Sequence, residues 1–173
     1  MTDDETDRIT ILVPQEEVRH LTAAEGYIEL GMYKEAHAEL HELDPEFQFL
    51  QQALVLKLCV YAGFKQWDIV QDIANSMARH EPDNAQWAIW SASAASRAES
   101  IEAAKKILLK ALETNPNNAN IHYNLSCYET RLNHFKLAQQ HLARAFQLDP
   151  RFKALALQDE DLEPLWIKLK AKK

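Results

Sequence analysis

The sequence predicts an all-α chain built from four similar helix pairs in a row and closed by a C-terminal helical cap. Three observations carry that prediction. Glycine and proline are scarce, three and six in 173 residues. Alanine and leucine are abundant, a balance that favours long helices joined by short turns. Pro82, Pro116 and Pro150 stand 34 residues apart, each just after a helical pattern. Proline there disfavours helical geometry in the residue before it and so marks a stop. The same 34-residue step recurs elsewhere. It links Tyr33, Trp67, Ile101 and Phe135, all large and apolar, and Ala36, Val70, Ala104 and Ala138, all small or β-branched. It also links Ala24, Leu58, Ala92 and Ser126, and again Leu40, Ala74, Leu108 and Leu142. A fixed period of this length is the mark of supersecondary units stacked side by side.

Taken in order, residues 1–14 form an acidic, flexible N-terminus. Its opening MTDDETDRIT has no apolar core, so no secretory signal is expected. Residues 15–150 form the repeat domain, with helix pairs near 17–43, 51–80, 85–114 and 119–148. Residues 151–173 form capping helices and a basic tail.

The fourth pair shows the pattern best, with Asn124, Leu125 and Ser126 followed by Phe135, Ala138, Ala145 and Pro150. Small residues midway along both helices let the two backbones approach, while large residues fill the grooves beside them. With a large apolar residue at the intervening turn and a closing proline, this arrangement resembles the tetratricopeptide repeat (TPR). The resemblance covers roughly residues 17–150 and implies a right-handed α-solenoid of four repeats. Its departures are informative. In the first repeat the proline comes early, at Pro45, which shortens the second helix by about a turn. Leu58 stands where the second repeat would have a small residue. In the third, Trp87 and Trp90 flank the usual aromatic position, which allows a one-residue slip. After Pro150 the resemblance implies a capping helix with one apolar face. The stretch DEDLEPLW opens a second helix, with Asp161 as its N-cap and Leu162, Leu165 and Trp166 on one face.

Charge and hydropathy exclude several function classes. The net charge is −7, which argues against nucleic-acid binding, since phosphate neutralisation needs clustered Lys and Arg. The first fifty residues hold thirteen Asp or Glu against three Lys or Arg, so they carry −10 and the remainder +3. No run of 18 uncharged apolar residues occurs, so no membrane span is expected. Two cysteines without metal-ligand spacing point to a reducing compartment, the cytoplasm.

No set of residues reads as a catalytic or metal centre. His37 and His41 have chelating i, i+4 spacing, but in HAELH the glutamate is one position late and no third ligand follows. His134 and His141 share no target. Gly26, Gly31 and Gly63 stand alone, so no phosphate loop exists, and no motif places a Ser, His and acid set. Cys59 and Cys127 are 68 residues apart, two full periods. Two stacked repeats would hold them tens of Å apart, against a limit of roughly 7 Å for a bridge. The expectation is no enzyme, no cofactor and no metal.

The TPR resemblance instead implies a concave groove lined by the first helix of each repeat. Carried over position by position, its candidates in the second repeat are Gln52, Val55, Leu56, Cys59, Ala62 and Gly63. In the third they are Gln86, Ile89, Trp90, Ser93, Ser96 and Arg97. In the fourth they are Asn120, Tyr123, Asn124, Cys127, Thr130 and Arg131. Trp90 and Tyr123 are the expected anchors. Cochaperone TPR domains clamp a peptide's C-terminal carboxylate with basic and amide side chains. Here Leu21, Glu25, Gln86 and Trp90 occupy clamp positions and only Asn124 matches, so that specificity is rejected. The implied function is a non-enzymatic protein-binding adaptor that takes a peptide or helix of a partner. The alternative is a secretion-type chaperone of the same class, holding an aggregation-prone client. A monomer is the expected state, with weak self-association between the acidic first repeat and the basic tail as the alternative.

Overall fold

The structure is a computed structural model and describes residues 13–171. Most of the acidic N-terminus, and Lys172 and Lys173 of the basic tail, lie outside the described residues. The described chain is helical, without strands. The helices are α1 (Gln15–Glu29), α2 (Tyr33–Glu42), α3 (Gln51–Gly63), α4 (Trp67–His80), α5 (Ala85–Ala98), α6 (Ile101–Thr114), α7 (Ala119–Arg131), α8 (Phe135–Leu148), α9 (Phe152–Ala156) and α10 (Glu163–Lys170). A 3-10 turn, Glu160–Leu162, leads into α10. The chain divides into two compact units, Met1–Phe64 and Lys65–Lys173. The second expected pair therefore contributes α3 to the first unit and α4 to the second.

The 34-residue period is written into the helix boundaries. Tyr33, Trp67, Ile101 and Phe135 are the first residues of α2, α4, α6 and α8. The in-phase sets Ala24, Leu58, Ala92, Ser126 and Ala36, Val70, Ala104, Ala138 are all at most 1 % exposed. Their burial is what close helix contact demands of small residues. Three turns also keep the phase, because Gly31, Lys65 and Asn133 all adopt left-handed φ, at 71°, 59° and 62°. Such a residue lets a helix end within one turn by redirecting its last carbonyls to the following N–H groups. The turn after α5 ends differently, with Ser100 accepting from Ala103 N at 3.1 Å to cap α6.

In the first unit α1, α2 and α3 pack on one another around Leu21, Ala24, Ala36, Leu40, Leu43, Leu56 and Val60. Helix α2 has ten residues where α4, α6 and α8 have fourteen, the shortening that the early Pro45 implies. Gly63 sits at a close approach, since a Cβ there would collide with the Tyr33 ring and force it to shift. Glu17 is buried, and its carboxylate accepts from Asp44 N at 3.2 Å beyond the end of α2.

In the second unit α4 to α8 pack each on the next, around Ala92, Ala95, Ala104, Leu108, Ile121 and Leu125. The third repeat does not slip. Ala92 and Ala104 keep their phase at 0 % exposure, while Trp87 is fully buried and donates to Glu81 Oε2 at 2.8 Å. Two polar links tie the fourth pair together. Glu129, 1 % exposed, accepts from Lys105 at 2.7 Å and His134 at 2.8 Å. Burial opposes its ionisation, but those hydrogen bonds and charges hold its carboxyl below the usual range. The second link is a 3.0 Å contact between His122 Nδ1 and His141 Nδ1. His122 Nε2 lies 3.2 Å from Pro116 O, an acceptor, so Nε2 carries a proton. In the neutral pair, His141 Nδ1–H then donates to His122 Nδ1.

The C-terminal segment folds back on α7 and α8, with Ala156, Leu162 and Leu165 fully buried. Trp166 Nε1 donates to Ala156 O at 2.9 Å. The cap here is Asp159, not Asp161: Asp159 Oδ1 accepts from Asp161 N at 2.9 Å. A 3-10 turn precedes α10, so the capping residue sits two positions earlier than a direct helix start requires. Asp161 is then free to face Arg131, 3.8 Å away. The expected first capping helix is short, only Phe152–Ala156.

Candidate protein-binding faces

The sequence-derived groove positions fall on α3 in one unit and on α5 and α7 in the other. On α3, Val55 and Cys59 are half-buried. With Glu25, Gln51, Gln52 and Leu56, Val55 lines a shallow cleft of roughly 500 Å³ within the first unit. Leu56 itself is 7 % exposed and belongs to the core, so it is a packing residue more than a presented one. Burial pushes the Cys59 thiol above its ordinary range, which leaves it protonated and inert.

On α5, Gln86 and Arg97 are exposed, and Trp90, Ser93 and Ser96 are half-buried. Arg97 Nη1 donates to Ser93 O at 2.9 Å and to Ser93 Oγ at 2.8 Å. Its guanidinium lies 4.8 Å from the Trp67 ring centroid, a cation–π contact that fixes the side chain. Ser96 Oγ donates back to Ser93 O at 2.8 Å. Trp90 Nε1 is buried and has no hydrogen-bond partner among the described residues. An orphaned donor of this sort costs on the order of 1–3 kcal/mol.

On α7, Asn120 is exposed, and Asn124 is half-buried and donates to Asn120 O at 2.8 Å. Helices α5 and α7 touch, so Gln86, Arg97, Asn120 and Asn124 lie on adjoining helices. The remaining α7 positions differ from expectation. Tyr123 is 6 % exposed, its ring stacks on Phe152 at 4.6 Å, and its hydroxyl donates to Asp159 Oδ2 at 2.6 Å. Cys127 is 5 % exposed and reaches the same oxygen at 3.7 Å. Thr130 is buried and donates to Ser126 O at 2.8 Å. Burial first, and then Asp159, push both the Tyr123 hydroxyl and the Cys127 thiol well above their ordinary ranges. Tyr123 is thus an anchor for the chain's own C-terminal segment. Family-based carry-over places it in an open groove because a repeat pattern carries no information about the segment beyond the last repeat. Asp159, which organises this contact, carries only a weak sequence signal, the acidic run DED after an apolar stretch.

His37 packs against Tyr61 at 5.9 Å between ring centroids and Phe64 at 6.2 Å, so that imidazole serves the packing of α2 on α3. No helix among the described residues is long and apolar enough to cross a membrane.

Comparison with known proteins agrees with this architecture. Residues 89–118 match the family model described as a tetratricopeptide repeat. No curated protein matches the chain. Among solved structures, MamA 41-end from Desulfovibrio magneticus RS-1 is similar with a TM-score of 0.62 at 18 % identity, covering 78 % of this chain and 76 % of that one. The MamA RS-1 ArsTM double mutant gives 0.58 at 17 % identity, covering 80 % and 78 %. MamA MSR-1 C2 gives 0.54 at 21 % identity, covering 78 % and 77 %. The described fold is all-α, as in those structures, and the tetratricopeptide match spans α5 from Ile89, α6 and the turn leading to α7.

Proposed function

We propose that the chain is a non-enzymatic adaptor whose α5–α7 face holds a peptide or helix of a protein partner. The observation that carries this reading is the set Gln86, Arg97, Asn120 and Asn124 on two touching helices, three of the four exposed. Amides and a pre-fixed guanidinium offer both donors and acceptors to a peptide backbone at little entropic cost. Trp90 stands between them in sequence order and offers an aromatic body. A polar face of this composition suits hydrogen-bonded capture better than it suits an aggregation-prone apolar client, so the adaptor is favoured over the secretion chaperone. The open part of the face excludes Tyr123 and Cys127, which the C-terminal segment covers.

The test is capture by tagged wild-type chain and by a Trp90→Ala, Asn120→Ala double variant, compared by quantitative mass spectrometry. The reading expects at least one protein held by the wild type and lost by the variant, with far-UV circular dichroism unchanged. Equal capture by both would move the binding away from this face.

A further inference from the structure

We propose that Cys127, Asp159 and Asp161 form a site for a divalent transition-metal ion of the zinc class, which would staple the C-terminal segment to α7. One ligand atom from each residue lies within 4.8 Å of the others. The donors come from two separate segments, one thiol on a buried helix and two carboxylates on the turn that folds over it. Cys127 Sγ and Asp159 Oδ2 are 3.7 Å apart. A zinc ion at about 2.3 Å from a thiolate and about 2.0 Å from a carboxylate sets those atoms about 3.5 Å apart in tetrahedral geometry. Cys127 and Asp159 already stand near that separation, and Asp161, whose carboxylate lies within 4.8 Å of both, completes the set by swinging its side chain from Arg131 toward them.

Charge supports the same reading. Two carboxylates two residues apart converge on one buried thiol, an arrangement that a cation between them would relieve. Among the described residues the positive group paired with them is Arg131, and it stands by Asp161 at 3.8 Å, not by Asp159. The hydroxyl of Tyr123, 2.6 Å from Asp159 Oδ2, supplies the hydrogen bond that orients a metal-bound carboxylate. A mixed thiolate and carboxylate set suits zinc, whereas calcium and magnesium take oxygen donors. Binding breaks the S–H bond, releases one proton to solvent and leaves the sulfur pair on the ion; water takes the fourth position.

Full-length protein stripped with a chelator is titrated with Zn²⁺ by calorimetry and with Co²⁺ by absorption. The proposal expects one ion per chain and a thiolate-to-cobalt charge-transfer band in the near ultraviolet. Asp161→Asn should weaken binding by about tenfold or more, and Tyr123→Phe by about tenfold through lost orientation. Cys127→Ser should remove the charge-transfer band. A His37→Ala, His41→Ala variant should bind as the wild type does, which separates this site from the imidazole pair on α2. Absence of binding to the wild type would overturn the proposal. So would a cobalt complex without the thiolate band, or affinity unchanged in Asp161→Asn, a variant at a half-exposed position that spares the core.

Discussion

At the residue scale, the His122–His141 pair is a pH-sensitive contact in the fourth repeat. Burial, and then the neighbouring His122, lower the His141 pKa below its ordinary 6.5. Lys105 lowers it further and Glu129 raises it, while His134 sits on the far side of the same carboxylate. Unfolded chains take up the proton near pH 6.5, whereas the folded chain resists until lower pH. The contribution of the pair is therefore complete above about pH 6.5 and is lost as pH falls through the depressed folded value. Thermal melts between neutral and mildly acidic pH should show a steeper loss for wild type than for His141→Gln. Parallel curves would mean that burial does not hold His141 neutral in the folded chain. None of this was legible in the sequence, because His122 and His141 lie 19 residues apart on different helices and share no motif spacing.

At the element scale, the 34-residue phase foretold the helix starts and the buried in-phase residues, and the early Pro45 foretold the short α2. It did so because close helix contact limits the size of the side chain that each buried position takes. Periodicity could not reach the segment after Pro150, where local capping decides. Asp159 rather than Asp161 caps the turn, and Tyr123 is consumed by that segment. In the same way, the position equivalent to Trp87 was ambiguous until Glu81 supplied its hydrogen-bond partner. The phase gives a direct prediction. Ala138, 0 % exposed where α7 and α8 pack, has no room for added methylenes. Ala138→Leu should cost about 1–3 kcal/mol through overpacking, measured by urea denaturation. An unchanged midpoint would mean that the helix register is wrongly assigned.

At the scale of the whole molecule, the acidic first fifty residues and the basic tail invite head-to-tail association. Exposed ion pairs contribute only about 0–1 kcal/mol each and weaken with salt. Leu162 and Leu165, by contrast, are fully buried against the chain's own last helix pair, so the cap is satisfied internally. Light scattering should therefore give the monomer mass, 19.9 kDa, at low and at high ionic strength alike. A larger mass that salt dissolves would favour the electrostatic contact. The central claim is that the α5–α7 face meets a protein partner, and site-specific photo-crosslinking tests it most directly. A photoreactive residue is placed at Arg97 or Asn120 on that face, or at Leu109, 41 % exposed on α6. The account predicts that the first two positions link to a common protein and that position 109 does not. Links formed from position 109 alone, or equally from all three, would contradict it.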